Sequence, residues 1–170
     1  MVKGLKQTSA PIVISFSVDE TILNTFAQAQ IAMQLNVLDR EVMVVTGCNL
    51  DVSTPDAIAG TNTITTGSLS TTSRTTTGGL DDSNVIAVAQ DSIRAAGFVD
   101  GGVSFSSSFG ETPAPGMEYL NIIATNDFFV QVESAGNVIT KGMTGKLYCY
   151  RAVAEASVFA ALTQSELLSA

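Results

Sequence analysis

The chain has 170 residues, which suits a single domain large enough to bury a full hydrophobic core. Its formal net charge of -8 argues against direct nucleic-acid binding, because phosphate contacts require clustered Lys and Arg and the chain has only 8 of them. Histidine is absent, which excludes Ser-His-Asp and Cys-His catalytic arrangements together with histidine metal ligands.

Residues 1–10 are predicted to form a short N-terminal arm with two basic side chains, Lys3 and Lys6. Two positive charges attract nucleic acid only weakly. The apolar stretch that follows superficially resembles an export signal, but Ser15 and Ser17 interrupt it and acidic residues stand where a cleavage site belongs. No apolar run is long enough to span a bilayer. We therefore expect neither an export signal nor a transmembrane segment in this sequence.

The clearest local pattern is an alternation of apolar and mostly polar residues over positions 27–37. Its apolar positions are Ala27, Ala29, Ile31, Met33, Leu35 and Val37. Period two predicts a strand over 27–38 with one buried face. The alternative is a helix that begins at Ser17 or Asp19 and buries Ile22, Phe26, Ala29 and Met33. Residues 19–26 fit either structure.

Alternation resumes after a short connection at residues 38–40. Its even positions, predicted to share one face, are Val42, Val44, Thr46, Cys48, Leu50 and Val52. The β-branched content favours a second strand, which Pro55 ends. Two long strands separated by so few residues predict a β-hairpin.

Residues 57–79 are rich in Thr, Ser and Gly and have few apolar side chains. The composition predicts a long surface loop. Loops of this length in compact domains are uncommon unless they are functional. A second interpretation is an extended arm that packs against a neighbouring subunit.

Turn signals divide the remaining sequence into further strands, predicted at residues 84–90, 102–107, 118–125, 128–134 and 145–155. Residues 83–96 also fit a helix. Together with a strand over 11–18, the count is about eight, which predicts an all-β fold: a two-sheet antiparallel β-sandwich or single jelly roll spanning 11–156. Residues 157–170 are predicted to form a C-terminal tail with a short helix, in which Ser157 caps and Phe159, Leu162 and Leu167 or Leu168 pack.

Residues 141–147 superficially resemble a phosphate-binding loop, but Thr140 and Leu147 occupy positions that require Gly and Ser or Thr. A turn between strands is the better interpretation. The acidic pairs Asp19-Glu20 and Asp81-Asp82 are predicted to lie in solvated turns. Oxygen ligands for Ca²⁺ are offered by Asp81, Asp82 and Asn84, or by Asp51 and Asp56, but neither set has the spacing of a calcium loop. We predict no catalytic, cofactor-binding or metal-binding residues.

Two other residue pairs fit packing roles. Cys48 and Cys149 have hydrophobic neighbours, which predicts reduced, buried thiols. Phe128 and Phe129 are adjacent on a predicted strand, so their rings must point to opposite sides of the sheet. The ring that faces away from the core is a candidate interface anchor.

Taken together, the short arm, paired long strands, Ser/Thr/Gly-rich loops, low charge and short tail resemble the small single jelly-roll capsid (coat) proteins of icosahedral viruses and phages. The resemblance implies two four-stranded sheets, homo-oligomeric capsomers and a shell assembled in a virion through lateral contacts. The chain departs from many such proteins because only Lys3 and Lys6 remain of a basic genome-binding arm. Contact with other coat proteins, a cementing role or an inner membrane fits the acidity better.

The expected function is therefore that of a non-enzymatic structural subunit. The alternative is a β-sandwich binding module, such as a fibre tip, an adhesin or a carbohydrate-recognition domain. An enzyme without histidine would require two carboxylates brought together from distant positions.

Overall fold

The computed structural model describes residues 3–97, 105–109 and 116–169, with only the backbone described over 105–109. These residues contain ten strands, one short 3₁₀ helix at Val37–Asp39 and one α-helix. The strands are β1 (Leu5–Gln7), β2 (Ile12–Asp19), β3 (Ala27–Ala32), β4 (Glu41–Val52), β5 (Thr63–Ser70), β6 (Val85–Arg94), β7 (Phe105–Phe109), β8 (Asn121–Ile123), β9 (Asp127–Ala135) and β10 (Gly142–Ala154). The helix α1 spans Ala156–Leu168.

The strands form two five-stranded antiparallel sheets. In the first sheet β10 lies between β4 and an edge shared by β1 and β2, and β8 pairs with the other side of β4. The second sheet has the order β3-β9-β5-β6-β7. No helix in the described part of the chain has the length and apolar character needed to cross a membrane.

The pairing pattern is that of a rolled-up ribbon. The first half of the chain pairs with the second half in reverse order: β2 with β10, β3 with β9, β4 with β8 and β5 with β6. Successive strands from β2 to β5 alternate between the sheets, as do β8, β9 and β10. This arrangement is a jelly roll, so the predicted fold class is confirmed.

The main core lies between the two sheets and collects the inward side chains of both. At its centre the Phe16 and Phe128 rings meet edge to face, with centroids 5.8 Å apart. Burial of each such side chain contributes about 1.5–3 kcal/mol. The other core members include Val18, Met33, Leu35, Met43, Val45, Cys48, Leu69, Ile123, Val130, Val132, Met143, Leu147 and Cys149.

The predicted hairpin between residues 27–38 and 42–52 is wrong, because β3 and β4 lie in different sheets. Hydrogen-bonded pairing of β3 ends at Ala32, although burial still alternates as far as Leu35. The 3₁₀ turn follows, capped by the Asn36 side chain, and Arg40 adopts a left-handed conformation. These residues turn a corner between sheets instead of reversing a ribbon. Each strand pairs with a partner about a hundred residues away.

A β-bulge divides β4 and overturns the prediction of a single buried face over 42–52. Gly47 pairs with Tyr148 and Val45 with Cys149, so Thr46 is the extra residue. The Thr46 hydroxyl donates to the Tyr148 carbonyl at 3.1 Å. The bulge shifts the parity of the inward residues, which are Met43, Val45, Cys48, Leu50 and Val52. The outer face instead buries Val42 and Val44 beneath α1.

The segment 57–79, predicted as a long loop, contains the central strand β5. Its Thr63, Thr65, Ser68 and Ser70 side chains are buried, which composition alone did not indicate. Neighbouring strands β6 and β9 take its backbone hydrogen bonds on both sides. The predicted loop is therefore limited to the segments on either side of this strand.

Residues 71–84, which connect β5 to β6, fold over the outer face of the second sheet. The centre of the contact is Gln131, a fully buried residue of β9. Its Oε1 accepts a hydrogen bond from Ser68 Oγ at 2.8 Å, and its Nε2 donates to Ser70 Oγ at 2.7 Å and to Gln28 Oε1 at 3.1 Å. The Gly78 amide donates to Ser68 Oγ at 3.0 Å. Hydrogen bonds thus attach this segment to the sheet.

Arg74 strengthens the same segment from its other side. Its guanidinium donates to Asp82 Oδ2 at 2.8 Å and to Asn84 Oδ1 at 2.9 Å. Its backbone amide donates to Gln28 Oε1 at 2.9 Å. One arginine therefore joins both ends of residues 71–84 to each other and to β3.

The other strand predictions differ from the structure mainly in their boundaries. The strands predicted at 11–18, 84–90, 128–134 and 145–155 match β2, β6, β9 and β10. The helical alternative for 83–96 is wrong because β6 lies there, and the one that begins at Ser17 or Asp19 is wrong because the end of β2, a non-helical connection over 20–26 and β3 occupy its positions. Residues 118–125 contain only the short β8. Of the strand predicted at 102–107, residues 102–104 lie outside the described residues.

Helix α1 confirms the predicted C-terminal helix, but two details differ. Its N-cap is Glu155 without a side-chain cap, not Ser157. Val158, Phe159 and Leu162 pack on a small second cluster formed by Leu5, Val42, Val44, Ala124, Ala152 and Ala154. Leu167 and Leu168, predicted to pack, are exposed. The predicted arm also contributes to this region, because Leu5–Gln7 pairs with β10.

Candidate interaction surface at one end of the sandwich

One end of the sandwich, here named the loop end, brings together three connections. They are residues 20–26, 53–62 and 136–141. Strand register explains the meeting: Asp19 pairs with Gly142 in the first sheet, and Ile64 pairs with Ala135 in the second. Segments remote in sequence therefore form one surface.

Four aliphatic side chains at the loop end are exposed, and we name them the apolar tip: Ile22, Leu23, Val138 and Ile139. Their exposed fractions are 66, 40, 67 and 61%. The two loops that carry them are adjacent, since Asn24 Nδ2 donates to the Asn137 carbonyl and the Asn137 amide donates to Asn24 Oδ1, both at 2.9 Å. Grouped exposed aliphatics are typical of interaction sites, whereas scattered ones are ordinary.

A buried carboxylate, Glu20, joins the first loop to the rest of the loop end. Its Oε1 accepts from the Ser134 amide at 2.8 Å and its Oε2 from the Lys141 amide at 2.9 Å. The side chain is only 5% exposed, so the predicted solvated turn is wrong for Glu20. The buried carboxylate therefore accepts its hydrogen bonds from the Ser134 and Lys141 backbone amides instead of from water.

Asp56 fixes the backbone beneath Val138 and Ile139. Its Oδ1 accepts from Lys141 Nζ at 2.7 Å, and its Oδ2 accepts from the amides of Val138 at 2.9 Å and Ile139 at 3.3 Å. The Lys141 hydrogen bond and then the Val138 amide hold the pKa of the Asp56 carboxyl below its ordinary value. Both carboxylate oxygens of this candidate calcium ligand are thus engaged by the protein itself.

Asn137 and Gly136 complete the rigid base of the tip. Asn137 is buried, and its side chain accepts from the Asp56 amide at 2.8 Å and donates to the Ile64 carbonyl at 3.1 Å. Gly136 has a φ of +74°, and a Cβ there would lie 2.4 Å from the Asn62 carbonyl oxygen. Glycine is required at this position on both counts. The tip therefore stands on loops with a fixed conformation.

The other candidate residues do not form a site with the tip. The segment 141–147, predicted as a turn, lies in β10 from Gly142 onward, and Lys141 forms the ion pair with Asp56. Asp82 binds Arg74 and the Gly79 amide, while Asp81 is exposed. Within the described ranges, no group of three or more Asp, Glu or Cys side chains has an arrangement that holds a metal ion.

The predicted packing residues behave largely as expected. Cys48 and Cys149 are buried thiols, and burial raises the pKa of Cys149 to about 11, which makes it a poor nucleophile. Phe128 lies in the core, while Phe129 points to the opposite side of β9 and is half-buried. The prediction that Phe129 anchors an interface remains a prediction.

No family model matches the chain, and no curated protein or solved structure is significantly similar to it. Function is therefore inferred from the fold and the apolar tip.

Sequence reasoning did not identify the tip. The available signal was a pair of β-branched aliphatics, Val138 and Ile139, directly after the predicted turn at Gly136 and Asn137.

Proposed function

We propose that the chain is a structural subunit of a protein shell, such as the capsid of a virion, and that it assembles through lateral contacts at the loop end. The observation that carries this proposal is the apolar tip. Its four exposed aliphatics stand on loops fixed by Glu20, Asp56 and Asn137. A preorganised apolar surface loses little conformational entropy when it binds.

The jelly-roll fold supports the proposal without deciding it, because capsid proteins, lectins and cupins share this architecture. The acidity of the chain makes other copies and other coat proteins better partners than nucleic acid. At the tip itself, exposed aliphatics gain free energy only when a partner removes them from water. A second protein surface provides that burial.

Assembly of the purified protein tests the proposal. We expect light scattering after size exclusion to detect oligomers at high concentration, and negative-stain microscopy to show regular particles, rings or tubes. The double variant Ile22→Lys with Ile139→Lys should stay monomeric and folded, since both side chains are exposed and the lysines would be buried at a contact.

A matched control carries the same added charge outside the three connections of the loop end: Leu38→Lys with Leu80→Lys, at positions 93 and 60% exposed. This variant should assemble as the unmodified chain does. A strictly monomeric chain across salt and pH would contradict the shell function. Assembly that both double variants weaken equally would contradict the role of the tip.

A further inference from the structure

Glu166 is an acidic residue of α1 that faces the protein instead of solvent. It is only 8% exposed. Its Oε1 accepts a hydrogen bond from the Ala124 amide, in the connection between β8 and β9, at 2.8 Å. Its Oε2 is buried and has no hydrogen-bond partner among the described residues. A carboxylate in this position is poorly compensated, because an ionised group taken from water needs partners for both oxygens.

In the part of the chain that the structure describes, the surroundings of Glu166 offer neutral polar groups and no close cation. It lines a cavity of 80 Å³ with the neutral residues Thr71, Ser83, Asn84, Asn121, Ile122, Leu162, Ser165 and Ser169. Of the charged groups on the packed elements, Asp127 of β9 repels a negative charge here. In residues 71–84, Arg74 and Asp82 pair with each other. The described β8 residues are uncharged, and the negative end of the α1 dipole disfavours a carboxylate.

The apolar contact that holds α1 is small. Val158, Phe159 and Leu162 are its partly buried side chains, and the last two leucines of the helix are exposed. The C-terminal half of α1 is attached by the buried Glu166 and, at its exposed end, by a 3.4 Å hydrogen bond from Ser83 Oγ to Ser169 Oγ. Burial raises the pKa of its carboxyl, opposed by the Ala124 amide and Thr125 and reinforced by Asp127.

We propose that Glu166 is a proton-dependent latch, whose neutral form holds α1 on the first sheet and whose ionised form releases the C-terminal half of the helix. The neutral carboxyl donates its proton to an oxygen of the cavity, whereas the ionised form leaves a buried charge beside Asp127. Release uncovers Asn121 and Ile122, the β8 residues that line the cavity with Glu166. The latch belongs to the single chain and does not depend on the proposed assembly.

The direction of the pH dependence follows from the raised pKa. The folded protein holds this proton more tightly than the unfolded chain. The stabilisation is complete below the ordinary glutamate pKa of 4.5 and is lost as pH rises through the higher folded value. Docking of α1 therefore weakens toward neutral and alkaline pH.

Hydrogen exchange measured by mass spectrometry on the full chain tests the latch between pH 5 and 8, with exposure times scaled to the intrinsic rate. Protection of the α1 amides should fall by up to about tenfold per pH unit once pH passes the folded pKa. Protection of β4 and β10 should not change. Glu166→Gln, neutral at every pH, should keep α1 protected throughout, whereas the exposed control Glu155→Gln should keep the pH dependence.

Two results would overturn the latch: constant α1 protection in the unmodified chain, or the same pH dependence in Glu166→Gln. If that variant does not fold, carbon-13 NMR of the unmodified chain decides, by titration of the Glu166 carboxyl. A midpoint above 4.5 supports the latch. A midpoint at or below this value contradicts it.

Discussion

The two outer faces of the sandwich are both covered by the chain itself, but by opposite chemistry. On the first sheet, α1 places three apolar side chains over Val42 and Val44. On the second sheet, residues 71–84 are attached by side-chain hydrogen bonds centred on Gln131. Apolar contacts tolerate small shifts, whereas hydrogen bonds require fixed geometry. The polar cover should therefore be the more sensitive of the two to a single substitution.

The largest expected effect comes from Gln131→Ala, which removes the centre of the polar cover. Ser68, Ser70 and Gln28 each lose a hydrogen bond, and a void replaces a fully buried side chain. We expect the free energy of unfolding, measured by urea denaturation, to fall by about 3 kcal/mol. The control is Gln164→Ala on the exposed side of α1, which should change it by less than about 0.5 kcal/mol.

Equal effects of the two alanine substitutions would show that the buried network contributes nothing beyond an exposed glutamine. Such a result would contradict the expectation that the polar cover is sensitive to a single substitution. A loss of stability for Gln131→Ala without a matching loss for Gln164→Ala supports that expectation.

The apolar cover is tested by Phe159→Ala, for which we expect a smaller loss of about 2 kcal/mol, because this ring is only partly buried. Urea denaturation followed by circular dichroism measures both the free energy of unfolding and the helix content. Leu167→Ala, at a position that is 70% exposed, is the control and should be close to neutral. A loss for Phe159→Ala larger than for Gln131→Ala would reverse the order of the two covers.

The sequence predicted those parts of the fold that depend on local patterns. Turn signals separated the predicted strands that match β6, β9 and β10, because turn residues and the runs between them are local patterns. The C-terminal helix was predicted for the same reason. The jelly roll followed from the number and spacing of such strands.

The missed features all depend on partners that are remote in sequence. Strand β5 is rich in Thr, Ser and Gly, and its buried Ser68 and Ser70 hydroxyls form their hydrogen bonds with Gln131 and residues 71–84. The hairpin was wrong because β3 and β4 take partners from the second half of the chain.

The apolar tip was missed for the same physical reason. Asp56 lies 82 residues before Val138 and binds its amide, so no local pattern indicates that the turn is rigid. Glu20 likewise binds an amide 114 residues later, at Ser134. Local sequence patterns predict which residues are buried. The loop conformation that leaves the apolar tip exposed depends on Glu20 and Asp56, whose partners are remote in sequence.

The smallest expected effect comes from Arg74, which joins the ends of the polar cover at a partly exposed position. Arg74→Gln removes the contacts to Asp82 and Asn84 and should lower the free energy of unfolding by about 1 kcal/mol. Hydrogen exchange should show the change in residues 71–84 and leave β10 unaffected.

Arg74→Lys separates charge from geometry in this cover. A lysine keeps the charge but has one ammonium group, which does not reproduce the two-pronged contact of the guanidinium with Asp82 and Asn84. If attachment of the polar cover depends on hydrogen-bond geometry, the amides of residues 71–84 should exchange nearly as fast in the lysine variant as in Arg74→Gln. Protection equal to that of the unmodified chain would mean that charge alone suffices, and the polar cover would then tolerate small shifts as the apolar cover does.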